Sequence, residues 1–106
     1  MTGTIPTIPD LARPELSALC RRFHVQWLDA FGSAGTGKFD PETSDLDFLV
    51  SFAPLAPVRY ADAYFGFREE LGRLFGRRID LVTEQCVVNP WFRARIDSER
   101  QNLFKQ

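Results

Sequence analysis

The chain has 106 residues, of which 44 % are hydrophobic, 13 % aromatic and 25 % charged; this is the composition of one folded domain and excludes a disordered or fibrous chain. A net charge of −1 argues against direct binding of nucleic acid or attachment to a membrane through basic residues. The sequence shows neither a signal peptide nor an apolar membrane span, so we expect a cytoplasmic protein. Two cysteines, Cys20 and Cys86, are expected to be reduced and buried.

The spacing of apolar residues predicts helices and strands in the order α-β-loop-β-α-β-α. In chain order, an N-terminal arm over residues 1–13 is followed by a helix over 14–23, a strand over 25–31, a loop over 32–44, a strand over 45–52, a helix over 57–75, a strand over 78–83 and a helix from 90 to about 101. Gly76 is predicted to cap the long helix, and Asn89 to cap the last one. We therefore expect an α+β fold in which a small mixed sheet is flanked by helices, within one domain over 1–106.

Three aspartates lie at the predicted strands in positions where their side chains could meet. Asp45 and Asp47 are two residues apart on a strand, so both point to one face at a separation of roughly 7 Å. Asp80 joins them if its strand is the neighbouring one, and the three should then lie at one edge of the sheet with the helices on the other side. Converging carboxylates repel one another, and a divalent cation such as Mg²⁺ or Mn²⁺ would relieve that cost. The alternative is that Asp45 only begins its strand while Asp47 and Asp80 face solvent.

The loop after the first strand has two possible interpretations. A Gly32-Ser33 turn exposes backbone N–H groups suited to a phosphate. The stretch from Gly32 to Lys38 also fits the G-x-x-x-x-G-K pattern of a P-loop. However, Phe39 occupies the position of the Mg²⁺-binding Ser or Thr, and Pro41 interrupts the helix that should follow. The P-loop is therefore the weaker interpretation.

The spacing of these motifs resembles a known superfamily. Gly32-Ser33, ten further residues and then Ser44-Asp45-Leu46-Asp47 resemble the Gly-Ser…Asp-x-Asp signature of the polymerase-beta-like nucleotidyltransferases. Asp80, 33 residues after Asp47, matches their third carboxylate. The short chain resembles the minimal nucleotidyltransferases, including the MntA-type antitoxins that are paired with HEPN toxins. One departure is that many relatives have an arginine in the loop, where this chain offers only Lys38.

The resemblance implies transfer of a nucleoside monophosphate from a triphosphate to an acceptor hydroxyl. Asp45 and Asp47 would hold two Mg²⁺ ions, while Asp80 would bind the ion next to the acceptor and help to deprotonate it. The residues assigned to the nucleotide are Gly32, Ser33, Ser44 and Lys38. For the minimal antitoxins, the acceptor is a tyrosine of the cognate HEPN toxin, which receives AMP from ATP.

The resulting hypothesis is an Mg²⁺-dependent adenylyltransferase that acts as the antitoxin of a type VII-like toxin–antitoxin system. One alternative is a catalytically idle relative that neutralises its toxin by covering it, and another is a transferase acting on a small molecule. The sequence leaves open whether the chain forms a homo-oligomer. The apolar pair Leu103-Phe104 near the C-terminus could dock on a partner or pack on the domain's own core.

Overall fold

A computed structural model describes residues 14–32 and 45–106 of the chain. In chain order its elements are α1 (Pro14–Arg22), β1 (Val25–Phe31), β2 (Leu46–Phe52), α2 (Pro57–Phe75), β3 (Ile79–Thr83), a 3₁₀ turn (Glu84–Cys86), α3 (Pro90–Glu99) and β4 (Gln101–Lys105). The predicted N-terminal arm and most of the predicted loop lie outside the described residues. The predicted α+β fold with a small mixed sheet is confirmed.

The described strands form one sheet in the order β3-β2-β1-β4. Strand β1 is antiparallel to both β2 and β4, whereas β2 and β3 are parallel. Strand β4 was not predicted: the last helix ends at Glu99 instead of near residue 101, and the chain then returns as a strand beside β1. The central position of β2 explains why its sequence is apolar on both faces.

Helices α1 and α2 cover one face of the sheet. Phe67 and Leu71 of α2 are fully buried there against Phe48 and Val50 of β2. Gly76 ends α2 in the left-handed conformation with φ 64°, and its N–H donates to the Gly72 carbonyl at 2.8 Å. The predicted glycine cap is thus confirmed, because glycine adopts this conformation without steric cost.

Helix α3 and the 3₁₀ turn lie on the opposite face. Ile96 of α3 is buried in a second apolar cluster together with Phe31 of β1 and Leu49 of β2. Asn89 caps α3 as predicted, since its side-chain oxygen accepts from the N–H groups of Trp91 at 2.9 Å and Phe92 at 3.2 Å. Side chains alternate along a strand, so Leu49 and Asp47 share this face. The expectation that the helices pack only on the side away from the aspartates is therefore wrong for α3.

The C-terminal segment belongs to the core. Phe104 is 6 % exposed and packs in the cluster beneath α1 and α2. This segment therefore packs on the domain itself and is not an exposed apolar tail. Cys20 is also buried, and burial raises its pKa to about 12. Cys86 is exposed at the end of the 3₁₀ turn, contrary to expectation. Among the described residues, no helix is long and apolar enough to cross a membrane.

Candidate active site

Asp47 and Asp80 come together at one end of the sheet. They are register partners on the parallel strands β2 and β3, and their carboxyl groups interact directly. Asp47 is also opposite Phe31, the last residue of β1. The beginnings of β2 and β3 and the end of β1 therefore meet at this point.

The environment of Asp47 favours its protonated form. Its pKa is raised from 3.8 to about 6, first by burial, then by the charge of Asp80 and the hydrogen bond to it, and also by the charge of Asp45. Arg95 of α3 acts in the opposite direction. A half-buried carboxyl group surrounded by other carboxylates is an unfavourable arrangement that a bound cation would relieve. The oxygen donors of this pair therefore suit a hard divalent cation such as Mg²⁺.

Asp45 is less closely engaged than the other two aspartates. It lies just before β2, with one carboxylate oxygen 4.0 Å from Nε of Arg78. Within residues 14–32 and 45–106, no three acidic, histidine or cysteine side chains are gathered closely enough to hold a metal ion. The structure thus brings Asp47 and Asp80 into contact and leaves Asp45 within electrostatic range of Asp47.

Gly32 directly follows β1, and its backbone lies against the side chain of Asp47. Its φ of 68° lies in the left-handed region, and a β-carbon added to it would collide with Oδ2 of Asp47. Glycine is therefore required here both for the backbone conformation and for the close approach of Asp47. The Gly32 N–H donates to Oε1 of Glu99 at 3.0 Å.

Two residues of α3 reach this end of the sheet and were not expected to contribute. Glu99 accepts from Gly32 through one oxygen, and its other oxygen lies 3.5 Å from Nε of Arg95. Arg95 also acts electrostatically on Asp47. The sequence contains a signal for the ion pair, because residues four apart face each other on a helix. No sequence signal indicates that this face of α3 lies beside Gly32.

A second polar cluster holds the end of α3 on the same face. Asp29 of β1 is buried, and it accepts from Nε of Arg100 at 2.7 Å and from Nδ2 of Asn102 at 2.8 Å. The guanidinium of Arg100 also lies over the ring of Trp27, 5.1 Å from its centroid. The stretch around Arg100 resembles a solvated helix face in sequence, but this arginine instead joins α3 and β4 to β1.

The remaining predicted nucleotide ligands, Ser33, Lys38 and Ser44, lie outside the described residues. The loop that carries the alternative P-loop pattern, from Gly32 to Lys38, also lies outside them except for Gly32. The described part of the predicted site therefore consists of the three aspartates and Gly32.

Comparison with known proteins places the chain in a family. The family of nucleotidyltransferase domains matches it over residues 16–103, and the chain belongs to this family. Two candidate protein adenylyltransferases of Methanocaldococcus jannaschii are 26 % and 28 % identical to it over 96 residues, which cover 91 % of this chain and 94 % of each relative. The protein is therefore a nucleotidyltransferase.

Solved structures share the fold. A candidate minimal nucleotidyltransferase superposes with a TM-score of 0.71 at 28 % identity, covering 93 % of this chain and 98 % of that one. A toxin–antitoxin structure with AMP-PNP gives a TM-score of 0.63 at 21 % identity, over 84 % and 69 % of the two chains. A complex of a tri-AMPylated Shewanella oneidensis HEPN toxin with an MNT antitoxin gives 0.60 at 18 % identity, over 91 % and 71 %.

Proposed function

We propose that this nucleotidyltransferase transfers AMP from ATP to a tyrosine hydroxyl of a partner HEPN toxin and is thereby the antitoxin of a type VII-like pair. The observation that carries the proposal is the contact between Asp47 and Asp80 directly beside Gly32. The names of the M. jannaschii relatives and the AMPylated toxin in a structure of the same fold support a protein as the acceptor.

Asp47 and Asp80, with Asp45 completing the set, are the residues that would hold Mg²⁺. When bound, Mg²⁺ supplies positive charge that stabilises phosphate oxygens and lowers the pKa of a coordinated hydroxyl. The raised pKa of Asp47 has a consequence for this role: its carboxyl group must lose its proton to become a good ligand, and above about pH 6 it has done so.

The chain's own groups bind the nucleotide and move a proton. The backbone N–H of Gly32 binds the triphosphate, and we assign Ser33, Ser44 and Lys38 to the same ligand on the resemblance of their motif. Asp80 accepts the proton of the acceptor hydroxyl. The acceptor oxygen forms a bond to the α-phosphorus of ATP while the bond from that phosphorus to the bridging oxygen breaks, so pyrophosphate leaves and AMP is attached through a phosphodiester bond.

Co-expression with the toxin tests whether this chemistry is the antidote. Cells that carry the toxin and the wild-type chain should grow, whereas cells that carry the toxin and Asp47→Asn should not. The toxin and the Asp47→Asn variant should still co-elute on a sizing column, because the substitution changes a single half-buried carboxyl group and leaves the rest of the protein surface unchanged. The matched control is Asp62→Asn, which removes an exposed carboxylate on α2 at the opposite face of the sheet.

The same experiment separates the alternatives. If Asp47→Asn protects cells as well as wild type and the toxin mass is unaltered, the chain neutralises its toxin by binding alone. If cells lose protection with Asp62→Asn as well as with Asp47→Asn, the effect of removing a carboxylate is not specific to the candidate site.

A further inference from the structure

The Gly32 amide already holds an anionic oxygen. Glu99 accepts from this N–H at 3.0 Å, and its side chain is only 21 % exposed. Carboxylate and phosphate oxygens compete for the same kind of donor, because both are anions that accept charge-assisted hydrogen bonds from backbone N–H groups. A phosphate that approaches Gly32 must therefore displace Glu99.

Displacing Glu99 would also release a cation. Arg95 lies 3.5 Å from the second carboxylate oxygen of Glu99, and its charge acts on Asp47. A guanidinium with five N–H donors in a planar fork is well suited to phosphate oxygens. Once Glu99 moves away, Gly32 and Arg95 become two donors next to the carboxylate pair.

Arg95 differs from Arg93 and Arg100 in its exposure and in the length of its ion pair. Arg93 and Arg100 lie 2.7 Å from Glu84 and Asp29, and both are largely covered. Arg95 is 63 % exposed and has the longer contact to Glu99. Because its guanidinium is exposed and its contact to the carboxylate is long, the Arg95–Glu99 pair is the one that a ligand can exchange most readily.

We infer that Arg95 binds the terminal phosphates of the incoming nucleoside triphosphate, and that Glu99 holds the phosphate position on Gly32 until the nucleotide displaces it. This inference rests on the proposed function, since it assigns residues to the nucleotide of that reaction. It predicts opposite effects for two neighbours on one helix face: loss of Arg95 weakens nucleotide binding, and loss of the Glu99 charge strengthens it.

The test compares the affinities of the purified full chain for ATP and for AMP in excess Mg²⁺, measured by calorimetric titration. Arg95→Ala should weaken ATP binding about tenfold, as expected for the loss of a charge-assisted hydrogen bond, while AMP binding changes less than about twofold. Glu99→Gln should tighten ATP binding by several fold. Arg73→Ala is the matched control, because Arg73 forms the same type of ion pair with Glu69 on α2, on the opposite face of the sheet.

The ratio of ATP to AMP affinity separates a phosphate ligand from a structural residue, because a general loosening of the fold would weaken both ligands together. If Arg95→Ala leaves this ratio unchanged while the wild-type chain binds ATP, the inference is wrong and the proposed function stands. If Glu99→Gln weakens ATP binding, Glu99 supports the nucleotide instead of competing with it. If the wild-type chain binds no ATP, the proposed function fails and the inference fails with it.

Discussion

Asp47 and Asp80 face each other in register across the only parallel pair among the described strands, and the Asp80 carboxyl group raises the pKa of Asp47. Burial of Asp47 and the neighbouring charges of Asp80 and Asp45 raise its pKa to about 6, so the carboxyl group is ionised at neutral pH in spite of these neighbours. The fold thus stores an electrostatic repulsion at neutral pH that binding of a cation would relieve.

Asp47→Asn should stabilise the ligand-free protein at neutral pH. The pKa of Asp47 is raised from 3.8 to about 6 in the fold, so the folded state binds its proton more tightly than the unfolded state. The resulting contribution to stability is present below pH 4 and is lost as the pH rises to about 6. At pH 7.5 we expect a gain of about 1 kcal/mol in the free energy of unfolding, reduced by the partial exposure of the group.

Urea unfolding of wild type and Asp47→Asn at pH 4.5 and pH 7.5 measures this effect. The difference between the two proteins should grow as the pH rises, because only wild type carries the charge. Asp62→Asn is the control, since its carboxylate is exposed on α2. The opposite trend would refute the raised pKa of Asp47: wild type would then gain stability relative to Asp47→Asn as the pH rises from 4.5 to 7.5.

Gly32→Ala should damage the site more than Gly76→Ala damages the end of α2. Both glycines have a left-handed φ, of 68° and 64°, but a β-carbon collides with Asp47 only at Gly32 and meets nothing within 4 Å at Gly76. Each substitution costs about 1 kcal/mol for the backbone conformation. Gly32→Ala should cost more than this because the Asp47 side chain must move away from the new β-carbon, and that displacement should also abolish nucleotidyl transfer. Thermal unfolding and an activity assay on both variants check this, and equal losses of stability would contradict the close approach.

Arg100→Ala should be among the most destabilising changes on the surface of α3 and its end. Removing the guanidinium leaves the buried carboxylate of Asp29 without its charged partner, which costs about 3 kcal/mol. The double variant Asp29→Asn/Arg100→Ala should recover part of that loss, because no buried charge then remains unpaired. Chemical unfolding of the single and double variants measures the coupling, and additive losses would show that the two side chains act independently.

Phe104→Ala tests the role of β4. The ring is buried against the core beneath α1, so its truncation should lower the free energy of unfolding by about 3 kcal/mol or more. Trp91→Ala is the control, because the Trp91 side chain is 84 % exposed and its loss should change stability little. Equal stability of Phe104→Ala and wild type would mean that the segment is not part of the core.

Most of the elements could be predicted because their signals are local. The bounds predicted for α2 match the structure residue for residue, since its apolar positions recur at helical spacing and a glycine follows. Strand β4 could not be predicted because its sequence, QNLFK, contains only two apolar residues. What makes it a strand is pairing with β1, and no local pattern reports contacts between residues more than 70 positions apart.

The candidate site, like the fold, could be predicted from the sequence only in part. The spacing of Asp45 and Asp47 and the placement of Asp80 on a strand could be predicted, and the parallel pairing of β2 with β3 brings Asp47 and Asp80 into contact. The contact of Glu99 with Gly32 spans 67 positions, and it depends on how α3 packs over the sheet. The roles of the three aspartates in metal binding remain predictions.

The most direct test of the central claim is the intact mass of the partner HEPN toxin after incubation with ATP, Mg²⁺ and this protein. With wild type, the toxin should gain one or more AMP units on tyrosine. With Asp47→Asn or Asp80→Asn, the rate should fall by orders of magnitude, because charge stabilisation of the transition state is lost. A toxin that wild type leaves unmodified while the two proteins form a complex, or one that Asp47→Asn modifies at the wild-type rate, would contradict the account.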